Sequence, residues 1–498
     1  MSSEKFRYQL RQEAQRWRSE GLINGTQFQQ LSDRYRFDHL DTQAKNRFTL
    51  VLLGLGSVLI GLGVITFVAA NWQDIPRLVR VALLLGTFIG VSGAGFFLWR
   101  QPTSEPSQTS PQNWQSQAPQ ERWQSRLGQM LLLLGGLILG ANMALMAQMF
   151  HIGGSSYGLF LLWGLGVLVM AYSLRLTSLG TLAIVLIVIG YWHGWMDYMQ
   201  IGQREDGSLL SFLVQQMPIL ISVLFLPLAY WCRSKALFTV LAIAVAVSLI
   251  SNPFNLSSSQ SGLFSAVVAV LPAALLWSYD DTLWSRIFRR TAAEPTGERS
   301  ASLVRPFQPI ARRLAIAYLG GAFFWLSFGW IWNDNSWLYI LRTPLEWRSQ
   351  LNVAILGSVA IAQWLYLLRF ARTRSGRFYL NVNTSAVLLF IGITALVIFW
   401  DIQVQSLPVV APFVFNVLMA VLAIGVVRES VAIADRSAFW FGIVLLILQI
   451  FSRMLEYDTG LLLKALAFVL CGVGVIGAGL WFERYVRTLN PVSANGEE

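Results

Sequence analysis

Fourteen separate stretches of this chain are apolar for about the length needed to cross a lipid bilayer, and no other feature constrains the fold as strongly. A hydrocarbon layer of about 30 Å takes roughly 20 residues of helix. The stretches fall near 48–70, 78–99, 127–150, 155–174, 177–195, 212–231, 236–252, 261–279, 314–332, 351–368, 384–400, 408–427, 437–453 and 461–482. Those at 177–195, 236–252, 384–400 and 437–453 are short, so a re-entrant segment among them fits as well. In lipid every backbone polar group needs a partner within the structure, and a helix supplies it locally. The expected fold class is therefore all-α, a polytopic integral membrane helical bundle of about fourteen crossings.

Composition agrees. Hydrophobic residues make up 55% of the 498 and charged residues only 13%, against about 25% charged in an ordinary soluble domain. The net charge of +11 is the kind of excess that collects in cytoplasmic loops of membrane proteins, so no nucleic-acid partner is expected. Fourteen crossings put both termini on one side. With that side taken as cytoplasmic, alternate loops and the two ends hold thirty of the 37 basic residues. The acidic residues divide less unevenly, 17 against 9. Cys232 and Cys471 alone form no disulfide framework. The polar start and the long first apolar run point away from a cleavable signal peptide.

Three polar segments are expected outside the bilayer. In residues 1–47, Phe6, Leu10, Ala14 and Trp17 recur at helical spacing, Gly21 is a stop, and Thr26 with Gln29 reads as a capping box. Phe28, Leu31 and Tyr35 form a second apolar stripe, giving a cytoplasmic αα-hairpin with Trp17 as its anchor. Residues 101–125, rich in Pro, Gln and Ser, are expected to be disordered. Residues 285–313 form a basic loop. The chain thus divides into the hairpin 1–47, a four-helix membrane region 48–174 interrupted by 101–125, further membrane helices over 175–482, and a tail 483–498.

Polar groups at membrane depth are costly and invite a functional reading. Asn142 and Gln148 lie in the third stretch, six residues apart, hence about 120° around a helix. Hydrogen bonding to neighbouring helices suits them, at about 0.6–2 kcal/mol each. His151 and His193 fall at the outer ends of the third and fifth stretches, level with Asn71, Trp72, Asp74, Arg77 and Arg80. Such a set could bind an anion or sense external pH; anchoring in the headgroup layer fits it equally. Gly86-xxx-Gly90 and Gly136-xxx-Gly140 are helix-contact patterns. No metal-spaced His/Cys/Glu cluster, phosphate-binding glycine loop or mid-membrane carboxylate pair is present in the sequence. No enzymatic activity, cofactor or metal is expected.

The stretch from about 10 to 165 resembles the domain of unknown function 2157 family of bacterial membrane proteins. Three pieces carry the resemblance. They are Trp17-Arg-Ser-Glu-Gly21 with Gln27 and Leu31, then Phe67 to Trp72 with Ile75, Pro76 and Arg80, and finally Ala147 to Gly154 with Trp163. The resemblance implies a bacterial cytoplasmic or other internal membrane and brings no chemistry with it. Two functions remain open: a structural or assembly role in which the hairpin docks a protein partner while the helices sit in the lipid bilayer, or a transporter or lipid-handling protein with an outward-opening cavity. Candidate ligand or partner positions are Trp17, Asn71, Trp72, Arg80, Asn142, Gln148, His151 and His193.

Overall fold

The computed structural model describes residues 4–35, 75–100, 114–201, 214–251, 261–284, 307–332, 347–370, 382–456 and 460–489. These form helices, with no strand among the described residues. Two units emerge, residues 1–86 and 87–498.

In the first unit, α1 (Glu4–Ser19) and α2 (Gly25–Tyr35) form the expected hairpin. Gly21 ends α1 at φ 75°, a backbone that costs glycine nothing, and the amides of Leu22 and Ile23 turn back to the Trp17 carbonyl at 2.9 and 3.4 Å. The reciprocal cap of α2 lies two residues earlier than the sequence reading put it. Asn24 Oδ1 accepts from the Gln27 amide at 2.8 Å, and Gln27 Oε1 accepts from the Asn24 amide at 3.0 Å. The Thr26 hydroxyl donates to Asn24 Oδ1 instead of capping. Asparagine is the stronger N-cap, and Gly25 leaves it room to bend back. Trp17 is only half-buried, whereas Ala14 is fully buried and Ser32 nearly so. Small side chains therefore mark the close approach in this hairpin, and Trp17 is not its deepest residue.

Helix α3 (Arg77–Arg100) includes residues of both units. The second unit continues through α4 (Trp114–Met149), α5 (Ser156–Leu174), α6 (Thr177–Ile201), α7 (Met217–Cys232), α8 (Lys235–Ser251), α9 (Ser261–Trp277) and α10 (Gln308–Leu326). A 3-10 turn (Gly329–Trp332) follows, then α11 (Trp347–Phe370), α12 (Val382–Gln403), α13 (Val410–Ala432), α14 (Arg436–Glu456) and α15 (Leu461–Leu489). Thirteen of the fourteen apolar stretches each coincide with one of these helices; 48–70 lies outside the described residues. Nine described helices are long and apolar enough to cross a membrane, and α7, α8 and α9 are apolar but shorter.

Two expectations need correction. The crossing placed at 314–332 starts at Gln308 and stops at Leu326, where the chain tightens into the 3-10 turn. Helix α4 begins at Trp114, so residues 114–125 are helical rather than disordered. Gln, Ala, Glu and Arg are good helix formers and extend the apolar run of α4 backwards into the polar segment. Residues 101–113 lie outside the described set.

Two large apolar cores hold much of the second unit together, and smaller clusters join α8 and α9 to α11 and α14 to α15. The first large core joins α4 to α8 around Val167, Leu179, Ile184, Phe225 and Leu228. The second joins α9, α10, α12, α13 and α14 around Leu319, Phe323, Phe415 and Met419. The outside is also apolar: Leu462 of α15 is 88% exposed, and Leu466, Val469, Val473 and Ile476 are exposed along the same helix. Water would not tolerate so large an uncovered surface, and lipid does.

The hairpins α5–α6, α7–α8 and α13–α14 turn through Arg175, Arg233 and Ala434 at φ 53, 49 and 53°. Left-handed backbone costs a non-glycine residue about 1–2 kcal/mol, and the very short connections impose it. Side-chain links sort by end. Arg313–Asp435, Asn383–Glu429 and Arg436–Glu483 join residues that the charge count put on one side. Arg453–Glu456, Asn352 to the Gln215 carbonyl, and Asp401 to the Leu407 amide join residues put on the other.

Candidate functional site

The glycine pair of α4 receives an indole. Gly136 and Gly140 leave a notch on α4, and Trp163 of α5 lies in it, its Nε1–H donating to the Gly136 carbonyl at 2.7 Å. A Cβ at Gly140 would stand 2.2 Å from the indole Cε2, far inside van der Waals contact. The pattern read as a helix contact is thus a seat for one tryptophan. Trp163 stacks on Phe160 at 6.0 Å, and Phe160 meets the exposed His193 ring at 5.5 Å. A line of aromatic rings runs from the α4–α5 contact to a titratable surface group.

The other sequence candidates do not gather into one site. Asn142 is buried at 4% exposure, whereas Gln148 is exposed, as their angular separation on one helix requires. His151 is exposed and ends α4 in left-handed backbone at φ 48°, its own amide bonded to the Gln148 carbonyl. No hydrogen bond or ion pair joins His151 to His193 among the described residues. Arg80 turns onto its own chain, Nε donating to the Ile75 carbonyl at 2.8 Å. Asn71 and Trp72 lie outside the described residues. Spacing along the chain gave an expected level for each residue. Its direction around the helix and the shape of each helix end were not legible there.

A buried carboxylate node escaped the sequence reading. Asp281, 3% exposed, follows α9. Its Oδ2 accepts from the amides of Phe307 and Gln308 at 3.0 and 2.9 Å, capping α10 across the segment 285–306. Its Oδ1 accepts from the Tyr230 hydroxyl of α7 at 2.7 Å, and the Tyr230 and Tyr279 hydroxyls lie 2.6 Å apart. Phe307 is fully buried and stacks on Phe238 at 4.7 Å. The only hint in the sequence was an acidic pair, Asp280-Asp281, directly after an apolar run.

At the opposite end Arg453 of α14 pairs with Glu456 and donates to the Ser327 carbonyl at 2.8 Å, where α10 has just ended. Glu456 in turn accepts from the Gly329 amide at 2.6 Å and so fixes the 3-10 turn. The guanidinium also lies 4.9 Å from the Phe328 ring centre. This arginine ties the unravelled end of α10.

In the α13–α14 turn, the Ser437 hydroxyl donates to Asp435 at 2.8 Å, and Arg313 pairs with the same carboxylate at 2.7 Å. The Ser437 bond, with the Ala438 amide and Arg313 adding to it, holds the Asp435 carboxyl below its usual value of 3.8. A carboxyl lowered by folding contributes stability above the unfolded value and loses it as pH falls through the folded one. Asp435→Asn is therefore expected to lower the melting temperature in detergent at pH 7. The gap from wild type should close as the pH drops below 3.8. A gap unchanged down to pH 3 would mean the carboxylate charge is not what holds the turn.

Among the described residues no group of three or more His, Cys, Asp or Glu side chains could hold a metal ion. The architecture is that of a multi-pass helical membrane protein. Residues 15–180 match the model of a family described as Predicted membrane protein (DUF2157), about a third of the chain. The Trp163 notch and both candidate histidine-bearing segments begin within that region, whereas Asp281 and Arg453 lie beyond it. Comparison with curated proteins and with solved structures gave no match.

Proposed function

We propose that the chain is a non-catalytic scaffold of a bacterial cytoplasmic membrane, with both termini cytoplasmic and the amino-terminal hairpin as the docking element for a protein partner. One observation carries the preference over a carrier. Polar side chains between the helices bond to the backbone of neighbouring helices. Trp163, Tyr172, Tyr191, Tyr318 and Trp364 each donate to a carbonyl of another helix. Groups committed in this way stiffen a bundle, whereas a solute path needs polar groups that can exchange partners. The described charges cluster at helix ends, which also favours a static bundle.

Purification in mild detergent with mass spectrometry of proteins and lipids tests this reading. The wild-type chain is expected to retain a protein partner that is lost when residues 1–35 are deleted, while membrane insertion is unchanged. If Arg11, Arg16 and Arg18 replaced together by glutamine release the hairpin into high-salt washes without affecting any protein, the hairpin binds anionic lipid instead. Solute uptake by proteoliposomes holding the purified chain would overturn the scaffold reading. Orientation is tested separately in a Cys232→Ser, Cys471→Ser background. An impermeant thiol reagent on intact cells is expected to label Leu256→Cys and not Gln108→Cys, and the reverse pattern inverts the topology.

A further inference from the structure

Helices α7 and α9 each carry an internal proline, Pro227 and Pro272, each five residues before the helix ends at Cys232 and Trp277. Proline has no N–H, so the carbonyls of Val223 and Val268 lose their helical donors, which weakens each helix at that point. In both cases a tyrosine from another helix donates to the carbonyl three residues before the proline. Tyr172 of α5 bonds to Leu224 at 2.5 Å, and Tyr318 of α10 bonds to Ala269 at 2.7 Å. The same offset in two different helix pairs pins the body of each helix just ahead of its break. Past each proline is a short limb. The α7 limb carries Tyr230, and the α9 limb leads into Tyr279 and Asp281, where the two meet in hydrogen bonds of 2.6 and 2.7 Å. The same carboxylate holds the first amides of α10.

We propose that Pro227 and Pro272 are paired hinges, that Tyr172 and Tyr318 pin the helix bodies, and that Asp281 is the latch that makes both limbs and the start of α10 move as one piece. The limbs carry core residues of their own, Leu228 and Ala229 of α7 and Ala273 and Trp277 of α9, so a swing is small and loosens the latch side of each core while Ile221, Phe225 and Ala266 stay packed on the body side. Opening the latch frees each limb at its own proline. This device sits at the base of the segment 285–306, so the latch controls how far apart the two ends of that segment stand.

Hydrogen–deuterium exchange of the full chain in lipid nanodiscs tests it. Asp281→Ala is expected to speed exchange at least tenfold over 228–232, 273–279 and 308–311, and to leave 219–223 and 262–268 unchanged. Adding Pro227→Ala restores a donor to the Val223 carbonyl. Residues 228–232 should then return to wild-type protection while 273–279 stay fast. Faster exchange at 308–311 alone would reduce Asp281 to a helix cap, and an even increase along α7 and α9 would exclude hinges at the prolines. Tyr230→Phe removes the tie and keeps the carboxylate, so it decides the matter if Asp281→Ala does not fold. It should quicken 228–232 and leave 308–311 protected, and unchanged exchange at 228–232 would overturn the latch.

Discussion

Gly140→Ala is expected to destabilise the α4–α5 contact by about 2–4 kcal/mol, combining overpacking with a lost hydrogen bond. The added methyl would fall 2.2 Å from the Trp163 indole, so the ring must leave the notch. Leaving it breaks the 2.7 Å bond from Nε1 to the Gly136 carbonyl and disturbs the stack on Phe160. Unfolding by SDS titration in mixed micelles measures the loss. Trp163→Leu alone should cost less, because it vacates the notch without forcing the backbones apart. The double variant Gly140→Ala with Trp163→Leu should recover much of the Gly140→Ala loss. If the two single effects simply add, the methyl and the indole do not compete for the same space.

Asp281→Ala is expected to cost about 2–5 kcal/mol, since hydrogen bonds to a charged acceptor contribute more than neutral ones and a helix cap is lost with them. Three donors, the Phe307 and Gln308 amides and the Tyr230 hydroxyl, lose one acceptor at a site 3% exposed. Asp281→Asn keeps an acceptor oxygen and should retain part of the stability. Tyr230→Phe removes a single bond and should cost about 1 kcal/mol. The same SDS titration ranks the three variants. A loss below about 0.5 kcal/mol for Asp281→Ala would mean water replaces the carboxylate and the node is open.

The helices were legible because hydrocarbon demands long apolar runs and leaves little else for the backbone to do. Errors came where polar chemistry set a boundary. Thr26 and Asn24 are both good caps two residues apart, and only the folded turn selects the asparagine. Residues 114–125 looked disordered by composition, yet they continue a helix nucleated by the apolar run that follows. The stretch 314–332 looked continuous, but the chain leaves the helix at Ser327, where Arg453 and Glu456 hold the turn from another helix. His151 and His193 shared a predicted level without coming together, because level follows from counting residues whereas facing follows from packing.

The sequence by itself determined that this chain is a helical membrane protein, since burial of apolar runs is a local property that adds along the chain. Only the tertiary structure decided which helices pair, that Trp163 occupies the Gly136–Gly140 notch, and that Asp281 joins α7, α9 and α10. In lipid all apolar faces are nearly equivalent to one another. Partner choice then rests on close backbone approach and on a few hydrogen bonds between residues far apart in the chain, such as Tyr230 and Asp281, and spacing along one helix carries no record of either.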